Sequence, residues 1–108
     1  VLAIDTDPGK LTGLPCDTLH GNVDYPSVLD AANVGDARAA VCVSQIESVN
    51  QLFAYRCKRL GVPVAVHGFD SSVLASLRDA GADFVLDSKA YGLRAMEDKL
   101  RSLGVLPA

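Results

Sequence analysis

Three times in this chain an amphipathic helical stretch ends at a glycine, turns through a short link and runs into an apolar strand. The links are Gly35-Asp36-Ala37, Gly61-Val62-Pro63 and Gly81-Ala82-Asp83, leading to runs at 39–43, 64–66 and 84–86. Glycine just past a helix end takes the left-handed conformation at little cost. Short β-branched runs between helices predict parallel strands covered on both faces. Strands alternating with helices predict a parallel α/β sheet with right-handed crossovers.

The spacing of apolar residues places the helices. A short one over 27–34 turns Val28, Leu29 and Ala32 inward. The clearest, over 47–60, carries Leu52, Phe53, Cys57 and Leu60 on one face, and its start Ser44-Gln45-Ile46-Glu47 fits a capping box with Ser44 as cap. A third, over 71–80, begins after Asp70 and buries Val73, Leu74 and Leu77. The last, over 88–103, carries the stripe Leu93, Met96, Leu100 and Leu103, which reads as core packing. Between Asp7 and Cys16, Pro8, Gly9, Gly13 and Pro15 leave room for one helical turn, and a strand over 18–21 follows.

The sequence starts with Val1-Leu2-Ala3-Ile4-Asp5, an apolar strand ending in a carboxylate. In dinucleotide-binding folds such a strand is the second, and its terminal acid hydrogen-bonds the ribose hydroxyls. The first strand and its glycine-rich phosphate turn are expected upstream, in a βαβ unit of ~30 residues. The expectation is therefore one partial nucleotide-binding domain over 1–108.

With 49% hydrophobic and 21% charged residues, the chain can build a core, so disorder is excluded. The net charge of −3 argues against nucleic acid or an anionic membrane as partner. Arg56, Lys58 and Arg59 on one helix read as a solvated face. Cys16, Cys42 and Cys57 show no CxxC spacing; Cys42 and Cys57 lie in apolar surroundings and read as buried small hydrophobes. That usage predicts a reduced, cytosolic setting without a zinc site. No apolar run approaches the ~20 residues of a membrane span.

The candidate site residues follow the strand ends, where open α/β sheets bind ligands. Asp5 can accept both ribose hydroxyls and disfavours a 2′-phosphate, so NAD or an adenine nucleotide is preferred over NADP. Equally, it can cap the next turn. Thr6 lies beside it, and Asp7 before Pro8 reads as a turn residue. After the second strand, Gly21 allows a ring to approach the backbone, Asn22 and Val23 are candidate adenine contacts, and Asp24 reads as the cap of the next helix. Val43, Ser44 and Gln45 follow a central strand and open a helix, where free N–H groups suit an anion or a ribose. Asn50, one turn inside that helix, can reach back to the loop. His20 and His67 stand at strand ends and read as hydrogen-bonded edge residues. No GxSxG, HExxH, Walker lysine or paired catalytic carboxylate occurs, so no reaction is indicated.

Together these segments resemble the N-terminal nucleotide-binding domain of the RCK family, also called TrkA-N, from Val1 to about Gly92. Val1 to Asp7 is similar to the family's second strand with its ribose-binding acid. Gly21-Asn22-Val23-Asp24 with Val28-Leu29 and Ala31 to Val34 resembles "GDat…vL..Agi". Ala37 to Val43 with Asn50 resembles "A..vvv…dd..N". Val64-Ala65-Val66-His67 resembles the fifth strand, and Leu77 to Val85 resembles "l...GAd.Vi". The resemblance implies a Rossmann-like three-layer α/β parallel sheet, incomplete at its N-terminal βα unit. It implies a cytoplasmic regulatory domain, not an enzyme, that senses NAD(H) or an adenine nucleotide (ATP, ADP or AMP). The host would be a bacterial potassium channel, potassium uptake system or cation/proton antiporter.

The implied partners are a second copy, as a homodimer or higher homo-oligomer, and a membrane transport protein or its transmembrane domain at the inner face of the cell membrane. No nucleic acid is implied. Asp5 would bind the adenosine ribose, Asn22 and Val23 would line the adenine pocket, and Val43, Ser44 and Gln45 would face the middle or distal part of the nucleotide. His67 would stand where a basic side chain reaches a phosphate or a neighbour. The sequence departs from the family in three ways. The GxGxxG turn does not occur in these residues, Asn22 stands where Asp is common, and Asp87-Ser88 replaces the usual proline after the last strand. The resemblance, read to Gly92, is expected to lack a further RCK subdomain, as in the shorter antiporter-type tails. The alternatives are a fragment of an NAD-dependent dehydrogenase and a receiver-like signalling domain; the latter lacks an acceptor Asp at Cys42-Val43-Ser44.

Overall fold

The computed structural model describes every residue except Asp70 and Ala108, with the side chain of Ser71 also outside the description. The helix expected after Asp70 does start at Ser71, while Asp70 itself lies outside the described residues. In chain order the elements are β1 (Leu2–Asp5), α1 (Pro8–Leu11), β2 (Asp17–His20), α2 (Pro26–Ala31), a 3-10 turn (Val34–Asp36), β3 (Ala40–Cys42), α3 (Glu47–Leu60), β4 (Val64–Gly68), α4 (Ser71–Asp79), β5 (Phe84–Asp87) and α5 (Ser88–Ser102).

All strand pairs are parallel, but they form two separate sheets. β1 pairs with β2, and β3-β4-β5 form the other, with β4 central. Neither β1 nor β3 has a partner on its second edge among the described residues. The parallel α/β class expected from the sequence is present, with its sheet incomplete between β1 and β3.

The core lies in the second half. Val64 and Val66 of β4, Cys42 of β3 and Val85 of β5 point to one face, where Phe53, Ala54 and Cys57 of α3 and Leu77 of α4 cover them. Leu29 of α2 and Val34 complete the cluster, and Val73 and Leu74 pack partly against it. Strand residues alternate sides, which gives β4 its strict buried/half-buried pattern. No described residue of β1, β2 or α1 is buried.

Several expectations are corrected. Leu52 and Leu60 are exposed rather than inward, because Asn50, Phe53, Ala54 and Cys57 already fill the inward arc of α3. The residue that ends α2 in a left-handed conformation is Asn33 (φ 56), not Gly35, which sits inside the 3-10 turn; α2 is correspondingly shorter than expected. The other two glycines do end helices. At Gly61 and Gly81 the chain takes positive φ, and the next N–H returns to a carbonyl one turn back, Val62 to Cys57 at 3.0 Å and Ala82 to Leu77 at 3.1 Å. The stripe of α5 is not core packing, since α5 buries no residue. Nor are the strands covered on both faces: Val41, Val43 and Phe84 stand exposed on the face opposite α3 and α4.

Candidate functional site

Parallel pairing puts the carboxyl ends of the strands at one edge of each sheet. These ends carry Asp5, His20, Cys42 and His67, with Thr6, Asn22, Val23, Val43, Ser44 and Gln45 in the loops that follow.

At the end of β1, Asp5 is half-buried, and its Oδ1 accepts from the Asp7 N–H at 2.8 Å. That bond fixes the carboxylate, and no hydrogen bond to Oδ2 occurs among the described residues. Asp7 caps α1, accepting from the Gly9 N–H at 2.9 Å, as its turn reading expected. The Thr6 carbonyl is bonded to His20 Nε2 at 2.9 Å, which ties the end of β2 to the loop after β1. His20 is thus a hydrogen-bonded edge residue.

After β2, Asn22 Oδ1 accepts from the Asp24 N–H at 2.9 Å, an Asx turn that shapes the loop. Asp24 is not the expected cap: α2 starts from Tyr25 with no side-chain cap, and Pro26 occupies its first turn. On the side where a Cβ would stand, Gly21 is packed by Val28, whose Cγ2 would lie 3.1 Å from that Cβ.

Arg56, read as part of a solvated face, is half-buried and holds this loop. Its guanidinium donates to the carbonyls of Val23, at 3.4 Å, and of Asp24. It thereby links α3 to the loop after β2, across the break between the sheets. Its sequence neighbourhood gives no sign of this, because the acceptors are backbone carbonyls more than thirty residues away.

After β3, Ser44 is displaced from its expected role. Its Oγ accepts from the Ile46 N–H at 3.1 Å, and the N-cap position belongs to Ile46, which has no side-chain cap. Asn50 does reach back. It is fully buried, and its Nδ2 donates to the Ser44 carbonyl at 2.9 Å and the His67 carbonyl at 2.8 Å. Its Oδ1 accepts from the Cys42 thiol at 3.1 Å. One amide therefore fixes the ends of β3 and β4 and the start of α3. Being fully buried, it positions these segments rather than standing at the surface. His67 is half-buried, with its ring edge-on to Phe69 at 4.0 Å.

Burial pushes the Cys42 thiol up, opposed by its hydrogen bonding at Ser44 and reinforced by the nearby Asp24 carboxylate. Burial likewise pushes Cys57 to about 11, with Cys42 adding to it. Neither is a poised thiolate. No group of metal-ligating side chains occurs among the described residues.

Asp5 Oδ2, without a hydrogen bond among the described residues, stands at a strand end, beside a loop whose shape is set by Asn22 and Arg56. The start of α3 carries Glu47 in its first turn, which opposes a bound anion. Two grooves of the surface lie elsewhere: about 610 Å³ between α3 and α4, beside Leu52 and Tyr55, and about 220 Å³ between α2 and α3, beside Leu29 and Leu60.

No protein-family model matches the sequence, and no curated protein matches it. Solved structures do match in fold. The GsuK channel bound to NAD superposes with a TM-score of 0.79 at 19% identity, over 93% of this chain and 18% of that one. The TrkA-N domain of inner membrane protein ybaL from Escherichia coli gives 0.84 at 13% identity, over 92% of this chain and 77% of that one. The NAD(P)-binding domain of an exopolyphosphatase-related protein from Archaeoglobus fulgidus gives 0.80 at 17% identity, over 94% and 79%. The chain thus spans less than a fifth of the first of these and more than three quarters of the other two. By its strand pairing and these superpositions, this chain has the TrkA-N/RCK fold.

Proposed function

We propose that this chain is a regulatory, non-catalytic module of a potassium channel, potassium uptake system or cation/proton antiporter. In this reading it works at the cytoplasmic face as a homo-oligomer and senses NAD(H) or an adenine nucleotide. The observation that carries the reading is the placement of Asp5. It ends a parallel strand at a break in the sheet, where α/β folds take ligands, with one carboxylate oxygen fixed and the other without a hydrogen bond among the described residues. The fold neighbour bound to NAD supports the choice of ligand.

Asp5 would accept the adenosine ribose hydroxyls, and its negative charge would oppose a 2′-phosphate. Asn22 and Val23, on the loop held by Arg56, would face the adenine. Bound nucleotide would supply a tie between β1–β2 and the β3 sheet. Regulation follows if the nucleotide prefers one of two arrangements of the assembly, since only differential affinity shifts such an equilibrium.

Thermal-shift titration with AMP, ADP, ATP, NAD, NADH and NADP tests the reading. The expected result is stabilisation by AMP and NAD, at least tenfold weaker binding of NADP, and loss of the response in Asp5→Asn. Absence of stabilisation by every nucleotide overturns it.

A further inference from the structure

The groove between α2 and α3 joins an apolar floor to a charged rim. Pro26, Leu29 and Leu60 supply the floor, and Arg56, Arg59 and Asp30 the charges. Helical spacing explains the arrangement. Residues three and four apart share one side of a helix. Arg56, Arg59 and Leu60 have that spacing on α3, and Pro26, Leu29 and Asp30 have it on α2. Two stripes of matching period thus border one groove of about 220 Å³. Leu29 is buried, whereas Leu60 is 48% exposed, so part of the floor still meets solvent.

The charges of the rim are not used up within the chain. Among the described residues, no ion pair joins Asp30 to either arginine. Arg56 Nη1 donates to the Val23 and Asp24 carbonyls, and Arg59 Nη1 donates to the Tyr55 hydroxyl at 3.1 Å. A guanidinium carries more N–H donors than these bonds occupy, and its flat fork matches a carboxylate. Two positive charges against one negative attract a single anionic group and oppose a second. The carbonyl end of α3 lies close by and is itself negative, so the guanidinium groups rather than the helix supply the attraction. The volume is below the ~300–1,000 Å³ of pockets for drug-sized ligands, which restricts the occupant to a small body. The larger groove between α3 and α4 differs in kind, since its charged lining residue is Asp79.

We propose that the α2–α3 groove binds a small aliphatic monocarboxylate, with its alkyl body on Pro26, Leu29 and Leu60 and its carboxylate on Arg59 and Arg56. Asp30 on the rim disfavours a dicarboxylate or a phosphate. An exposed ion pair contributes little by itself, so affinity depends on charge and apolar body together. The site is distinct from the strand end at Asp5, and the proposal does not depend on the nucleotide. Arg56 gives it a reach beyond the groove. The same guanidinium that borders the ligand holds two carbonyls of the loop after β2. Occupancy of the groove and the shape of that loop are therefore coupled through one side chain.

Amide chemical shifts of the labelled chain, followed during titration with hexanoate and without nucleotide, test it. The expected result is saturable shifts at Leu29, Asp30, Arg59 and Leu60, with a second set at Val23–Tyr25. Affinity should rise about threefold to fourfold per methylene from butanoate to hexanoate. Hexanamide and adipate should bind much more weakly. Arg59 is exposed, so Arg59→Gln should leave the free chain's spectrum largely intact and weaken hexanoate about fivefold or more. No saturable shift up to tens of millimolar hexanoate overturns the proposal. Equal binding of hexanamide, or unchanged affinity in Arg59→Gln, also overturns it, because the charge would then select nothing. Shifts at the same amides that grow with protein concentration alone overturn it too, since a second copy would then fill the groove. The nucleotide titrations report separately on the sensor reading.

Discussion

Asn50 Nδ2 lies 2.8 Å from the carbonyl oxygen of His67, and through that bond a helix amide sets where a neighbouring strand ends. The same nitrogen holds the Ser44 carbonyl, so the ends of β3 and β4 hang on one buried side chain. Replacing Asn50 by Leu would keep the volume and strand both carbonyls. Leaving buried groups unpaired costs about 1–3 kcal/mol each, so Asn50→Leu is expected to lower stability by about 2–4 kcal/mol. Urea unfolding measures this directly.

The two helix-ending glycines should differ in tolerance. Gly61 has φ 72 with open space around it, while a Cβ at Gly81 (φ 119) would meet Lys58 Cβ at 2.7 Å. Gly61→Ala is expected to cost about 1 kcal/mol. Gly81→Ala should cost clearly more, because strain and collision add. Thermal unfolding of the pair separates the two contributions.

Cysteine chemistry should follow burial. At pH 8, a thiol reagent is expected to modify Cys16 in the native chain and all three cysteines in denaturant. Folding raises the Cys57 thiol to about 11. A raised acid favours the folded state fully below its unfolded value, and that contribution is lost as pH climbs through the folded value. Stability is therefore expected to fall between about pH 9 and 11, more steeply in the parent chain than in Cys57→Ala.

Arg56 supplies the bond between α3 and the loop after β2. Arg56→Ala should loosen the 22–25 loop without disturbing the β3-β4-β5 core. Amide hydrogen exchange would show protection falling at Tyr25 and staying unchanged at Val66. Nucleotide affinity should drop several-fold with it.

The sequence announces some of these features and hides others, for physical reasons. The bounds of α3 are legible to the residue because its acidic first turn and terminal glycine agree, while its inward arc is not, since Leu52 and Leu60 are exposed and Asn50 is buried. The turn role of Asp7 is equally local. Asn33 is less visible: asparagine tolerates the left-handed region, but Gly35 two residues later is the louder signal. The α5 stripe misleads, because helical periodicity is the same whether the face meets its own sheet or solvent. Arg56 and the second bond of Asn50 depend on backbone carbonyls far along the chain, which no side-chain pattern records. For the site, the strand-end placement of Asp5, Asn22 and Ser44 was readable; the competition of Asx and Ser turns for their side chains was not.

In the proposed reading, the strand end at Asp5 takes the adenosine half of a nucleotide. Amide chemical shifts of isotopically labelled chain, followed during titration with AMP, test it most directly. The account predicts saturable shifts concentrated at Asp5–Asp7, Asn22–Val23 and Ser44–Gln45, and their loss in Asp5→Asn. Shifts confined to the α3–α4 groove around Leu52 and Tyr55, or no saturable shifts, would contradict it.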